Sequence, residues 1–283
     1  VSATASVICA LDATGAIHSW GTDEPCALDE HAIATGAIHS WGTDESCWDA
    51  PNGTGFQAIY SSGYSFAAID AQGEVHSWGP VVAKLRRVIA PPRGARRFTA
   101  IVANLYAFAA LDARGAIYAW GGAVYGGAFA PTGTGFTTIC ATSRAFAALD
   151  AKGAIVAWGS KSFGGSGSGA PNRSGFTRIC SSRSSFAALD ARGAIHTWGR
   201  VAHGVPAPTG MGFVAIWSTK LAFAAVDAMG AIHAWGDPDY GGRGAPSTKN
   251  MTIASLSYSS PPQAVIYPSP PAPPVPYRPP PSP

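Results

Sequence analysis

The stretch that decides the fold is GFTRICSSRSSFAALDARGAIHTWG, residues 175–199. Its opening, Gly175 to Cys180, sets apolar residues at alternating positions, Phe186 to Leu189 is a short apolar run, and Gly193 to Trp198 alternates again. These patterns predict three short strands rather than a helix. Between the last two strands stands Asp-Ala-x-Gly, as Asp190 to Gly193, and again as Asp112 to Gly115 and Asp150 to Gly153. An Asp side chain starts such a turn and a Gly with positive φ closes it, so these Asp residues are read as turn formers and not as catalytic or calcium-binding groups.

Working outward, the terminal Trp-Gly recurs at Trp20, Trp41, Trp78, Trp120, Trp158, Trp198 and Trp235. The successive spacings are 21, 37, 42, 38, 40 and 37 residues. A three-stranded unit cannot bury its faces alone, and units repeated at this period become stable by packing radially, as in a propeller, with a linear β-solenoid as the competing arrangement. Seven hairpins face six candidate first strands, beginning near Phe56, Phe98, Phe136, Phe176, Phe213 and Met251. The chain enters at Val7 to Asp12 as if on a second strand, and 251–256 is assigned as the missing first strand that closes the ring. The fold class is therefore all-β: a β-propeller of three- to four-stranded blades, seven or alternatively six. The propeller spans 1–258 and a proline-rich tail 259–283. Residues 13–24 repeat identically at 34–45, a duplication on which the blade count turns.

An alternating strand, an apolar strand ending in Leu-Asp, a Gly turn, an Ile-x-x-Trp-Gly strand and a Gly-rich loop together resemble the propeller superfamily of the regulator of chromosome condensation. The short unit is most similar to its compact variety, which includes a secreted inhibitor of β-lactamase. The resemblance implies a propeller. It leaves the function open among exchange factors, inhibitors, photoreceptors and ligase modules. No loop or acidic face that would support exchange-factor activity is visible.

Composition narrows the function classes. Only 12% of residues are charged, while 34 Gly and 23 Pro exclude a coiled coil or long helical protein. The balance of 19 Lys+Arg against 16 Asp+Glu, with one basic cluster at Arg86, Arg87, Arg93, Arg96 and Arg97, argues against nucleic acid as a partner. No apolar run reaches the length of a membrane span. Nucleophile, phosphate-loop and zinc motifs are not found, so neither an enzyme nor a cofactor is expected. Five of the seven His share one repeat position, as His18, His39, His76, His196 and His233. Blade rotation would hold these imidazoles apart, so they are read as a partly exposed strand face rather than a metal site.

Other signals point outside the cell. The sequence begins at Val1 without Met, which suits a mature secreted product and equally a fragment. Asn52, Asn172 and Asn250 fit the N-glycosylation rule, and the first two follow Ala-Pro in equivalent loops. Cys26 and Cys47 each lie six residues after a Trp and are the candidate disulfide, with five buried cytosolic thiols as the alternative. In the tail, 12 of the 23 residues from Pro261 to Pro283 are Pro. Such a chain adopts polyproline II and resembles hydroxyproline-rich glycoproteins of algal and plant surfaces. At about 3.1 Å per residue it reaches roughly 70 Å, far enough to dock on a neighbouring subunit through Tyr267, Pro270, Pro271, Pro273, Pro274, Pro276, Tyr277, Pro279, Pro280 and Pro281. The first functional expectation is a non-enzymatic extracellular glycoprotein that self-assembles into a filament or matrix. The alternative is a soluble protein-binding propeller acting as an inhibitor or scaffold.

Overall fold

A computed structural model of the chain describes three N-terminal strands within residues 2–21, and residues 51, 55–63, 65–78, 88–89, 97–200 and 204–245. It is all-β, with six antiparallel sheets among the described residues. Sheet one holds β1 (Ser2–Ala3), β2 (Val7–Leu11) and β3 (Ile17–Gly21). Sheet two holds β4 (Phe56–Ser61), β5 (Phe66–Asp70) and β6 (Val75–Trp78). Sheet three has four strands in the order β7 (Val88–Ile89), β10 (Ile117–Gly122), β9 (Ala107–Asp112), β8 (Phe98–Ala103). Sheet four is β11 (Phe136–Ala141), β12 (Ala145–Asp150) and β13 (Ile155–Gly159). Sheet five is β14 (Phe176–Ser181), β15 (Ser185–Asp190) and β16 (Ile195–Gly199). Sheet six is β17 (Phe213–Ser218), β18 (Ala222–Asp227) and β19 (Ile232–Gly236). Five first strands thus begin at the five Phe residues that the repeat marks, and successive sheets pack in chain order as blades.

The middle strand explains the Ala-rich run. Ala107, Ala109 and Leu111 of β9 face sheet four, where they meet Ile139, Phe146 and Trp158. Phe108 and Ala110 of the same strand face sheet two and meet Ala67 and Ile69. A strand buried on both faces reads as continuously apolar, and its small Ala side chains leave room for the neighbouring aromatic pair. In every sheet from two to six a Phe of the middle strand stacks on the Trp of the third, at centroid distances of 5.2–5.5 Å. Burying such a ring contributes about 2–3 kcal/mol, so the aromatic pairs are the main adhesive between blades.

First strands of neighbouring sheets touch one another, which makes them the inner wall. Their ends are linked at one face by a backbone chain in which Gly63 N–H donates to Leu105 O, Leu105 to Ser143, Ser143 to Arg183 and Arg183 to Lys220, at 2.8–3.2 Å. At that face, Asn104, Thr142 and Thr219 donate to the carbonyls of Tyr125, Phe163 and Tyr240, the aromatic ends of short 3-10 turns. The Gly-Gly pairs follow from close packing: a Cβ on Gly126 would lie 2.6 Å from Phe146 Cδ2, and one on Gly127 would lie 2.6 Å from the Gly121 carbonyl.

Two details differ from the sequence reading. Ser2–Ala3 pairs with β2 in the register Ser2↔Cys9 and Ala3↔Ile8, so the chain does not enter on a second strand: it supplies the end of a first strand itself. Residues 3–7, ATASV, match the hairpin spacing of 141–145, ATSRA, which is the physical reason. Sheet three also gains an outer strand, since Val88 and Ile89 pair with Gly122 and Gly121 of β10. The segment 251–256 and the second copy of the duplication, which decide ring closure and six blades against seven, lie outside the described residues.

Candidate functional site

The face opposite the first chain of backbone bonds is built from the Asp turns. In each of sheets two to six the Asp Oδ1 accepts the N–H groups two and four residues on, at 2.7–3.0 Å: Asp70 from Gln72 and Glu74, Asp112 from Arg114 and Ala116, Asp150 from Lys152 and Ala154, Asp190 from Arg192 and Ala194, Asp227 from Met229 and Ala231. The turn-closing Gly153 has φ +77°, and a Cβ there would come 2.5 Å from Phe176 O, so position and conformation both require glycine.

From sheet three to sheet six these turns form a continuous belt with the loops that lead into the first strands, and the sheet-two turn lies beside its start at Arg97. Gly135 N–H donates to Arg114 O and Phe136 N–H to Gly115 O, and Ala151 N–H donates back to Gly135 O. The pattern repeats through Gly175, Phe176 and Ala191 to Gly212, Phe213 and Ala228. From the belt project the exposed side chains Gln72, Arg114, Lys152, Arg192 and Met229, one per turn. The lead-in loops add Arg97, Thr134, Arg173 and Met211, also exposed. The backbone is constant and the side chains vary, the arrangement of a recognition surface on a rigid scaffold.

The shared His position does more than line a strand face. His76, His196 and His233 bond through Nε2 to Oδ2 of Asp70, Asp190 and Asp227 at 2.8, 3.3 and 3.1 Å. Each ring also meets the Phe that opens the first strand, edge to face, as Tyr118 does on Phe98. The signal is legible as Asp and His six residues apart in four units, Asp12 and His18 included. Arg173 adds a second donor to Asp190 at 2.7 Å, reaches His196 Nε2 at 2.6 Å and lies over the Phe176 ring. Burial works against the charge on Asp190, but the N–H groups of Ala194 and Arg192, with Arg173 and His196, hold its carboxyl far below the usual carboxylate range. Asp70 is lowered too: desolvation opposes the charge, and His76 and the N–H groups of Glu74 and Gln72 outweigh it. Asp227 is lowered first by the Ala231 N–H and next by His233.

Asp70, Glu74 and His76 bring ligand atoms within 4.8 Å of one another, the one such trio among the described residues. Glu74 stands where the other described sheets carry Ala116, Ala154, Ala194 and Ala231. Both oxygens of Asp70 are already engaged by turn N–H groups and His76, and the same Asp–His pair recurs in sheets five and six beside an Ala. Turn chemistry therefore accounts for the trio.

Asn172 is exposed in the loop leading into β14. Asn52, Asn250, Cys26, Cys47, His39 and the tail from Tyr267 to Pro281 lie outside the described residues. Cys140 and Cys180 are free and buried in adjacent inner strands. No helix among the described residues is long and apolar enough to cross a membrane.

No family model and no curated protein sequence matches the chain. Solved structures do. The entire ectodomain of the Physcomitrella patens receptor kinase CR4 aligns at 18% identity and a TM-score of 0.50, over 83% of this chain and 62% of that one. The CRINKLY WD40 ectodomain of the Arabidopsis thaliana receptor kinase ACR4 aligns at 14% identity and a TM-score of 0.51, over 87% and 82%. Prp20p from Saccharomyces cerevisiae, described with its binding to Gsp1p and histones, aligns at 14% identity and a TM-score of 0.50, over 90% and 77%. The chain spans less than two thirds of the first of these, and at such identities the likeness shows the fold alone: a β-propeller of the kind that Prp20p and the plant ectodomains share.

Proposed function

We propose that this chain is a non-enzymatic, protein-binding propeller acting as an inhibitor or scaffold. The observation that carries the reading is the belt: five turns with one hydrogen-bonding pattern present four kinds of exposed side chain, Gln72, Lys152, Met229 and the pair Arg114 and Arg192. Preorganised backbone lowers the entropy lost on association, and variation at equivalent exposed positions is what specificity uses. The binding of Prp20p to other proteins supports the same reading by analogy of fold. Cross-linking mass spectrometry of complexes from native material tests it. Lys152 lies on the belt face, and Lys161 and Lys220 on the opposite one. Cross-links from any of these to a partner present in stoichiometric amount are expected. A chain that is monomeric in native material and carries no cross-linked partner would overturn the reading.

A second reading, an extracellular glycoprotein whose proline tail links subunits, is favoured by the exposed position of Asn172 within Asn172-Arg173-Ser174. Sugar on Asn172 and hydroxyproline in the tail, mapped on intact peptides, are its expected signature; unmodified peptides throughout would remove it.

A further inference from the structure

Along the belt the exposed side chains are sorted by chemistry. From sheet three to sheet five, five of them are cationic, Arg97, Arg114, Lys152, Arg173 and Arg192, with the neutral Thr134 among them. Among the described residues only Arg173 of these five is in an ion pair, with Asp190. Three anions share the arc, Asp112, Asp150 and Asp190, but each turns Oδ1 inward onto two backbone N–H groups, and Asp190 is 4% exposed. The cationic tips therefore dominate the side that a partner meets, and their carbonyls and neighbours are fixed by the belt hydrogen bonds.

In sheet six the chemistry changes. Met211 is 68% exposed, Met229 72% and Val214 47%. Met211 and Met229 flank a single hydrogen bond, Ala228 N–H to Gly212 O at 3.0 Å, and Val214 follows Phe213 on the same strand end. Sheets four and five put Thr134 or Ser174, Lys152 or Arg192, and Thr137 or Thr177 at these three positions. Three exposed apolar side chains thus gather at the end of the basic arc, against the single Val156, 39% exposed, in sheet four.

We propose that the arc from Arg97 to Arg192, ending at Met211, Val214 and Met229, docks an extended acidic segment of another protein that carries an apolar side chain at one end. The inference rests on the protein-binding reading and specifies its surface and its partner. Carboxylates pair with Arg114, Lys152 and Arg192, whose rigid spacing selects an extended chain, and the flexible Met side chains adapt around the apolar anchor. A polyphosphate backbone fits less well, because it has no apolar group to cover Met211, Val214 and Met229.

The test uses the full chain and two fluorescent peptides of alternating Glu and Gly, one ending in two Leu and one in two Ser, read by anisotropy at low and physiological salt. The Leu peptide should bind more tightly, and its affinity should fall with salt. Arg114→Gln, Lys152→Gln and Arg192→Gln together should weaken both peptides by roughly tenfold or more. Met211→Ser with Met229→Ser should weaken only the Leu peptide. All five positions are exposed, so circular dichroism should be unchanged. Equal weakening by Arg183→Gln with Lys220→Gln on the opposite face would reduce the effect to general charge attraction and overturn the proposal. So would an oligonucleotide of equal charge that displaces the peptide more effectively, or self-association that competes with it through residues 22–50, which carry seven Asp and Glu and no Lys or Arg. Partner cross-links found only through Lys161 or Lys220, with no peptide binding, would keep the protein-binding reading and sink this one.

Discussion

Gly126→Ala tests the packing that holds blades together. Gly126 has φ +100°, and a Cβ built on it lies 2.6 Å from Phe146 Cδ2, 3.0 Å from Cε2 and 3.4 Å from Trp158 Cδ1. Phe146 is fully buried and stacked on Trp158, so it cannot swing aside. Two costs add: about 1–3 kcal/mol for an L residue in a glycine conformation, and about 1–3 kcal/mol for overpacking. Gly135→Ala separates them, because Gly135 has φ +90° but nothing within 4 Å of its Cβ. It should carry the conformational cost alone. Urea unfolding by near-ultraviolet circular dichroism reads both, with an unchanged m value showing that the same transition is compared. Gly126→Ala should fall below Gly135→Ala by about 1–3 kcal/mol, and Phe146→Leu added to Gly126→Ala should return part of that difference. Equal costs at the two glycines, or strict additivity with Phe146→Leu, would refute the close approach as the reason for glycine there.

Three further outcomes follow from the geometry. Asp190 has a lowered carboxyl pKa in the fold, so its charge contributes stability above the unfolded value of about 3.9 that is lost as pH falls; Asp190→Asn should be less stable than the parent at pH 7, with the gap closing in acid, and a gap that persists in acid would contradict this. Burial pushes the Cys140 thiol up to about 12 and Cys180 in the same direction, so at pH 8 neither should react with a disulfide reagent until the protein is denatured; labelling at the rate of an exposed thiol would contradict the burial. Thr142→Val removes a hydroxyl that bonds the Ala145 and Phe163 carbonyls, and should cost about 1–2 kcal/mol in urea while Thr142→Ser keeps most of it; equal losses would assign the effect to packing.

What the sequence makes legible is what repeats within one unit. Trp-Gly and Asp-Ala-x-Gly mark strand ends and turns because a side chain and its own neighbouring backbone satisfy each other locally. The five Phe that open first strands are visible because alternation flanks them. The belt is not visible, since its bonds join backbone groups of different units, such as Phe136 to Gly115, and backbone carries no residue signal. Ser2–Ala3 and Val88–Ile89 escape for another reason: a two-residue strand is too short for a period, and only its pairing defines it. The His position is legible, but its recurrence suggests a ring of other His, whereas its partner is the turn Asp of the same unit.

Asn172 joins the two functional readings in one place. It is exposed and precedes Arg173, which bonds Asp190 and His196. Its loop enters the belt at Gly175, which donates to Lys152 O and accepts from Ala191 N–H. An N-glycan is bulky and hydrophilic, and one attached at Asn172 would stand between the Lys152 and Arg192 turns, over the middle of the cationic arc. A glycosylated Asn172 and an acidic segment lying along the arc are therefore incompatible on one molecule. The distinction is quantitative: if protein from native material carries sugar at Asn172 in nearly every copy, Asn172→Gln should gain affinity for the acidic peptides relative to it. If the site is bare in every copy, Asn172→Gln should bind as the parent does. Tight peptide binding by a fully glycosylated chain would place the contact away from the Lys152 and Arg192 turns, whatever the partner proves to be.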